Sequence, residues 1–118
     1  MRLVFLSLLL GCSDKGGESG GAETGLCADA PVLMYANFGE GFLIENCQSC
    51  HASTSTDRNG APEGIVFDSL SDVVSQSSLI LGVATGDDPS MPPQGGVDEE
   101  DREKLEIWLT CWIDEEEP

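Results

Sequence analysis

The chain has 118 residues, with 22 Asp and Glu against 5 Lys and Arg and a formal net charge of −17. So acidic a surface repels nucleic acid and anionic lipid headgroups, which excludes both as electrostatic partners and requires a docking protein to offer a basic patch. With one histidine and five cysteines in the chain, the spacing of the thiols is the informative part of the composition.

The chain opens on Met1-Arg2, continues with the apolar run Leu3 to Leu10, and reaches Gly11 and Cys12. A basic start, a short apolar run and a small residue before a cleavage point fit a secretory signal over residues 1–11. A spanning helix would need about 20 apolar residues. Leu9-Leu10-Gly11-Cys12 resembles the lipobox of bacterial lipoproteins, in which Cys12 takes a diacylglycerol and becomes the first mature residue; a plain cleaved signal is the alternative. The lipid alone would then hold the protein at a membrane of the cell envelope, facing the periplasm. Loss of Arg2 makes the mature chain still more acidic. Residues 12–26 carry no apolar periodicity and many glycines, the composition of a flexible tether. What remains, residues 27–114, is one small domain whose apolar core is marginal for its size, followed by an acidic tail over 115–118. Asp114 to Glu117 reads as solvated.

No alternating β-branched runs follow, and the fold class is all-α. Asp29-Ala30-Pro31 predicts a helix start, with Leu33, Met34 and Phe38 on neighbouring turns. A helical stretch leads from there to Cys47, and Gly39 and Gly41 mark a break or a close crossing within it. Next comes Cys47-Gln48-Ser49-Cys50-His51. A C-x-x-C-H run is the attachment signature of c-type haem: the two thiols add across the vinyl groups and the adjacent imidazole reaches the iron. A thioredoxin-like pair would want a βαβ pattern around it, and a structural zinc would want four ligands. Neither surrounds this run, and one motif with one histidine predicts one covalent haem c rather than a wire of several.

With Cys12 assigned to lipid and Cys47 and Cys50 to haem, Cys27 and Cys111 remain. Two such thiols in an oxidising compartment suggest a disulfide; the alternative is two unpaired thiols. Further on, Ser69-Leu70-Ser71-Asp72 has the form of a capping box, with Leu70, Val73 and Val74 at helical spacing behind it. Leu79, Ile80, Val83 and Ala84 predict a second short helix ended by Gly86. In the last helix Asp98, Glu99, Glu100 and Asp101 sit at the positive end, and Leu105, Trp108, Leu109 and Trp112 form one apolar stripe.

Taken together, residues 27–114 resemble a class I monohaem cytochrome c, a small fold of short helices packed around one covalent haem. In that family an N-terminal helix carrying Gly-x-x-x-(apolar) runs into C-x-x-C-H and crosses a C-terminal helix bearing an aromatic. Here Gly39 and Leu43 precede Cys47 at the matching positions, and Asp101 to Leu109 matches the terminal helix, with Trp108 in the aromatic place. The likeness is strong at the haem motif and last helix and weak between residues 52 and 80.

The resemblance implies that Met91, in the polar loop Asp87-Asp88-Pro89-Ser90-Met91-Pro92-Pro93, supplies the sixth iron ligand opposite His51. Met34 is the competitor, and its apolar neighbours make it core. It also implies that the carbonyl of Pro62, in Gly60-Ala61-Pro62, receives the other ring N–H of His51, although Ala61 interrupts the family's Gly-Pro. Arg58 is placed to pair with a haem propionate or simply to be solvated. His/Met ligation leaves no open iron site, so the implied function is electron transfer and not catalysis, with basic redox proteins as partners. The second reading is a ligand-binding or sensing haem lipoprotein in which Met91 is labile, and a third is a binding lipoprotein that never acquires haem.

Overall fold

The computed structural model describes residues 25–118; the signal over 1–11, Cys12 and the tether up to residue 24 lie outside the described residues. Helices account for all regular structure among the described residues, as the sequence predicts, and none is long and apolar enough to cross a membrane. We label the four α-helices α1 (Glu40–Asn46), α2 (Gln48–His51), α3 (Leu70–Ala84) and α4 (Glu99–Ile107).

Pro31 does not start a helix. Asn37 accepts the N–H of Met34 through Oδ1 at 2.7 Å and donates to the Val32 carbonyl at 3.1 Å, which holds the preceding segment extended (Met34 φ −125°, ψ 165°). The helix begins instead as a wide π-type turn over Tyr35–Gly39 that runs straight into α1. Met34, half-buried in that extended segment, lies outside the hydrophobic cluster, so the expectation that it belongs to a core stripe is not met. Of the two glycines, neither breaks the helix. Gly41 is exposed with open space beside it, whereas Gly39 is buried against Trp108.

The capping box forms as predicted. Ser69 Oγ accepts the N–H of Asp72 at 3.3 Å and the Asp72 carboxylate accepts the N–H of Ser69 at 3.0 Å, an exchange that supports a helix start by about 1 kcal/mol. From there α3 runs unbroken for 15 residues, so the two short helices expected from the sequence are one. Ser75 and Gln76 point back onto the Asp72 carbonyl, at 2.8 and 3.3 Å, without interrupting the ladder. Gly86, at φ +86°, ends the element two residues past Ala84 in a conformation that costs a glycine little.

Leu43 from α1, Val73 from α3, Leu105 from α4 and Trp108 just beyond it are fully buried, which places the core where these elements meet. Each such side chain contributes about 1.5–3 kcal/mol of apolar burial. Past α4 the chain continues through a wide turn, Trp108–Trp112, and a tight one, Ile113–Glu115. Trp112, the last member of the predicted stripe, is only half-buried and donates its indole N–H to the Pro31 carbonyl at 2.9 Å. Beside it Cys111 is bonded to Cys27 across a sequence separation of 84, with the Cα atoms 5.7 Å apart.

The acidic tail is not wholly solvated. Glu116 folds back, its two carboxylate oxygens accepting the N–H of Tyr35 and the indole N–H of Trp108, each at 2.7 Å. Both donors need such a partner: the first belongs to a helix start and the second sits on a completely buried ring.

Candidate haem-attachment cleft

Cys47 stands at the joint between α1 and α2, with φ −125° and ψ −40°, so the chain turns there and a single helical turn carries Cys50 and His51 beyond it. Both motif thiols are unpaired. Burial pushes the Cys47 thiol up to about 11, a rise that the Arg102 charge partly offsets. A thiol held protonated in this way is a poor nucleophile for disulfide exchange, the opposite of the lowered pKa that a redox dithiol needs. Among the described residues no three His, Cys, Asp or Glu side chains gather as metal ligands.

His51 is held on several sides. Its Nδ1 lies 2.9 Å from the Ile65 carbonyl, its own carbonyl accepts the N–H of Phe67 at 2.8 Å, and its ring stands 5.1 Å from that of Phe67, centroid to centroid. With a carbonyl as partner, Nδ1 must carry the proton, and Nε2 keeps its lone pair for a metal. The acceptor is therefore Ile65 and not Pro62, which corrects the reading taken from the family resemblance. The reason is local: the Pro62 carbonyl already accepts the N–H of Ile65 at 3.0 Å and an Arg58 N–H at 2.7 Å, and a carbonyl has two lone pairs.

Arg58 organises this loop from within. Its guanidinium donates to the carbonyls of Ala52, Ala61, Pro62 and Ile65, at 2.7 to 3.3 Å. Gln48 reaches over to the Phe67 carbonyl at 2.8 Å, and Asp68 receives the N–H of Ser53 at 3.0 Å. Residues 52–68, where the sequence carries least signal, are thus tied back to α2 at several points.

Met91 arrives from the other side of the chain. The N–H groups of Ser90 and Met91 both donate to the Val83 carbonyl at 2.8 Å, and Arg102 donates to the Met91 carbonyl at 2.9 Å. A cavity of about 770 Å³ brings these parts together: Cys47, Cys50, His51, Pro62 and Met91 all line it, with Phe42, Phe67, Ile80, Val83 and Pro92 among its apolar walls. Its size falls in the range of about 300–1,000 Å³ typical of ligand and cofactor sites. Met34 does not line it.

The donor set fits a covalently attached haem. Two unpaired thiols and an imidazole with a free Nε2 share one apolar cleft with a thioether, and no charged group apart from Arg58, itself bonded to carbonyls, lines that cleft. Three participants escaped the sequence reading: Ile65, whose role is a backbone carbonyl that any residue type could supply; Arg102, which looks like one more solvated charge in Asp-Arg-Glu-Lys; and Glu116, hidden in an acidic run. No protein-family model, curated protein or solved structure matches the chain.

Proposed function

We propose that this protein is a monohaem c-type cytochrome that transfers electrons, held at an envelope membrane through lipid on Cys12 and facing the periplasm. The observation that carries the reading is His51: its Nδ1 is engaged by Ile65, so Nε2 is the free donor in a cleft that Cys47, Cys50 and Met91 also line. Cys47 and Cys50 would hold the haem by thioethers, His51 and Met91 would be its protein ligands, and the bound group would supply one-electron chemistry. A Met thioether opposite His raises the potential relative to harder ligand sets and leaves no position for substrate. Phe42, Phe67, Ile80 and Val83 line the cleft and would supply apolar walls to a bound haem.

The charge of −17 selects basic redox partners and speeds their approach at low salt. The sensing alternative needs Met91 to leave readily. The hydrogen bonds on both of its peptide groups favour the electron carrier instead.

Expression with a cytochrome c maturation system tests the proposal. Wild type should bind haem that survives denaturation, Cys50→Ala should retain at most one thioether, and His51→Ala should lose the proximal ligand. A wild-type chain that stays colourless under those conditions rejects the cytochrome reading. Cys12→Ser should release the protein from membranes or leave it unprocessed; unchanged fractionation and cleavage would reject the lipid anchor.

A further inference from the structure

The C-terminal end of α3 leaves carbonyls that no residue of the helix itself can satisfy. Three of them are taken from outside the ladder. Leu81 accepts the Thr85 hydroxyl at 2.6 Å, Val83 accepts the N–H groups of Ser90 and Met91, and Ala84 accepts Arg102 Nη1 at 2.8 Å. The same Nη1 donates to the Met91 carbonyl. A guanidinium suits this position, because a helix C-terminus favours a cation and charge-assisted hydrogen bonds are about twice as strong as neutral ones.

Arg102 has abundant acidic neighbours on its own helix, Glu99, Glu100, Asp101, Glu103 and Glu106. Among the described residues the ion pairs of this helix nonetheless belong to Lys104, and Arg102 turns inward to carbonyls. Met91 and Val97 pack on the core cluster, but the backbone of the loop after α3 has few internal bonds: besides those to Val83 it makes one local turn, from the Gly95 N–H to the Pro92 carbonyl at 3.0 Å.

We infer that Arg102 is the positioning residue for Met91: by gripping the Met91 carbonyl and the end of α3 with one nitrogen, it fixes the loop that presents the thioether to the cleft. The inference rests on the haem reading for its consequence at the iron, though not for the clamp itself. Arg102 does not line the cleft. With haem bound, a fixed loop would make Met91 slow to leave, which favours electron transfer over sensing.

The test compares haem-loaded wild type with Arg102→Gln and Arg102→Lys. Loss of the clamp in Arg102→Gln should raise amide hydrogen exchange at Ser90 and Met91 by about tenfold or more, the scale of one lost hydrogen bond to a charged group. Exchange in α1 should stay as in wild type. Carbon monoxide should bind the ferrous protein faster by a similar factor, and the weak sulfur-to-iron band of the ferric protein should diminish. Arg102→Lys keeps the charge on a more compact head group with a different reach and should fall between the two. In a Met91→Ala background, Arg102→Gln should add nothing to the rate of carbon monoxide binding.

Unchanged exchange at Ser90 and Met91 in a haem-bearing Arg102→Gln protein would overturn the inference and leave the proposed function standing. Exchange raised equally in every helix of both variants would also overturn it, by making Arg102 a general stabiliser. A wild-type chain without haem would reject the proposed function, while exchange at Ser90 and Met91 would still read the clamp.

Discussion

Gly39 lies directly against the indole of Trp108: a Cβ at this position would overlap ring carbons Cη2, Cζ2 and Cζ3 of a side chain that is completely buried. The close approach lets the segment that leads to Cys47 pack on the Trp108 ring, which is completely buried. Gly39→Ala should destabilise the fold by about 1–3 kcal/mol through overpacking. Urea denaturation measures this, and a loss below about 0.5 kcal/mol, the range of an ordinary surface change, would show that the contact slides to accommodate a methyl group.

Glu116 bridges the same two segments through Tyr35 and Trp108. Glu116→Ala leaves the Trp108 indole N–H and the Tyr35 N–H without their acceptors, which should cost about 1–3 kcal/mol for the buried donor. Glu116→Gln keeps one acceptor oxygen and should lose less. The same denaturation experiment reads both, with tryptophan fluorescence reporting the altered surroundings of the indole. Equal stability of all three proteins would make the contact incidental.

Reduction of the Cys27–Cys111 bond releases a loop closed across a separation of 84 residues. In the chain-entropy view the oxidised protein should be more stable by about 4 kcal/mol. Denaturation with and without reductant gives the difference, and non-reducing peptide mapping identifies the pair. Two freely alkylated thiols in protein purified from an oxidising compartment would contradict the pairing.

Met91→Ala, in haem-loaded protein, should abolish the sulfur-to-iron band, admit carbon monoxide and lower the reduction potential. Met34→Ala should leave all three unchanged, and because Met34 is half-exposed and outside the core its stability cost should stay within about 0.5 kcal/mol. A band that survives Met91→Ala and disappears with Met34→Ala would reverse the assignment.

Much of this architecture is local, and what is local was legible. The reciprocal bonds of Ser69 and Asp72 involve residues three apart, and the stripe of Leu105, Trp108 and Leu109 follows from helical periodicity alone. Cysteine arithmetic left Cys27 and Cys111 as a pair, and they are bonded. The family resemblance related Met91 to the Cys-x-x-Cys-His run, and they line one cleft. The sequence failed where the chain offered two short patterns that a single helix could satisfy, as in α3, and where Pro31 suggested a start that Asn37 moved to Tyr35.

The sequence by itself determined helicity, the Cys-x-x-Cys-His run with its imidazole, and the capping box and apolar stripe of the later helices, because each depends on side-chain identity over a few residues. Tertiary structure alone decided which carbonyl orients His51, where Arg102 spends its charge, and that Glu116 leaves the solvent to cap Trp108. The physical reason is common to all three. Each satisfies a buried donor or an orphan helix carbonyl with whatever partner the packing brings within about 3 Å, and neither a backbone oxygen nor one charge in an acidic run announces that in sequence.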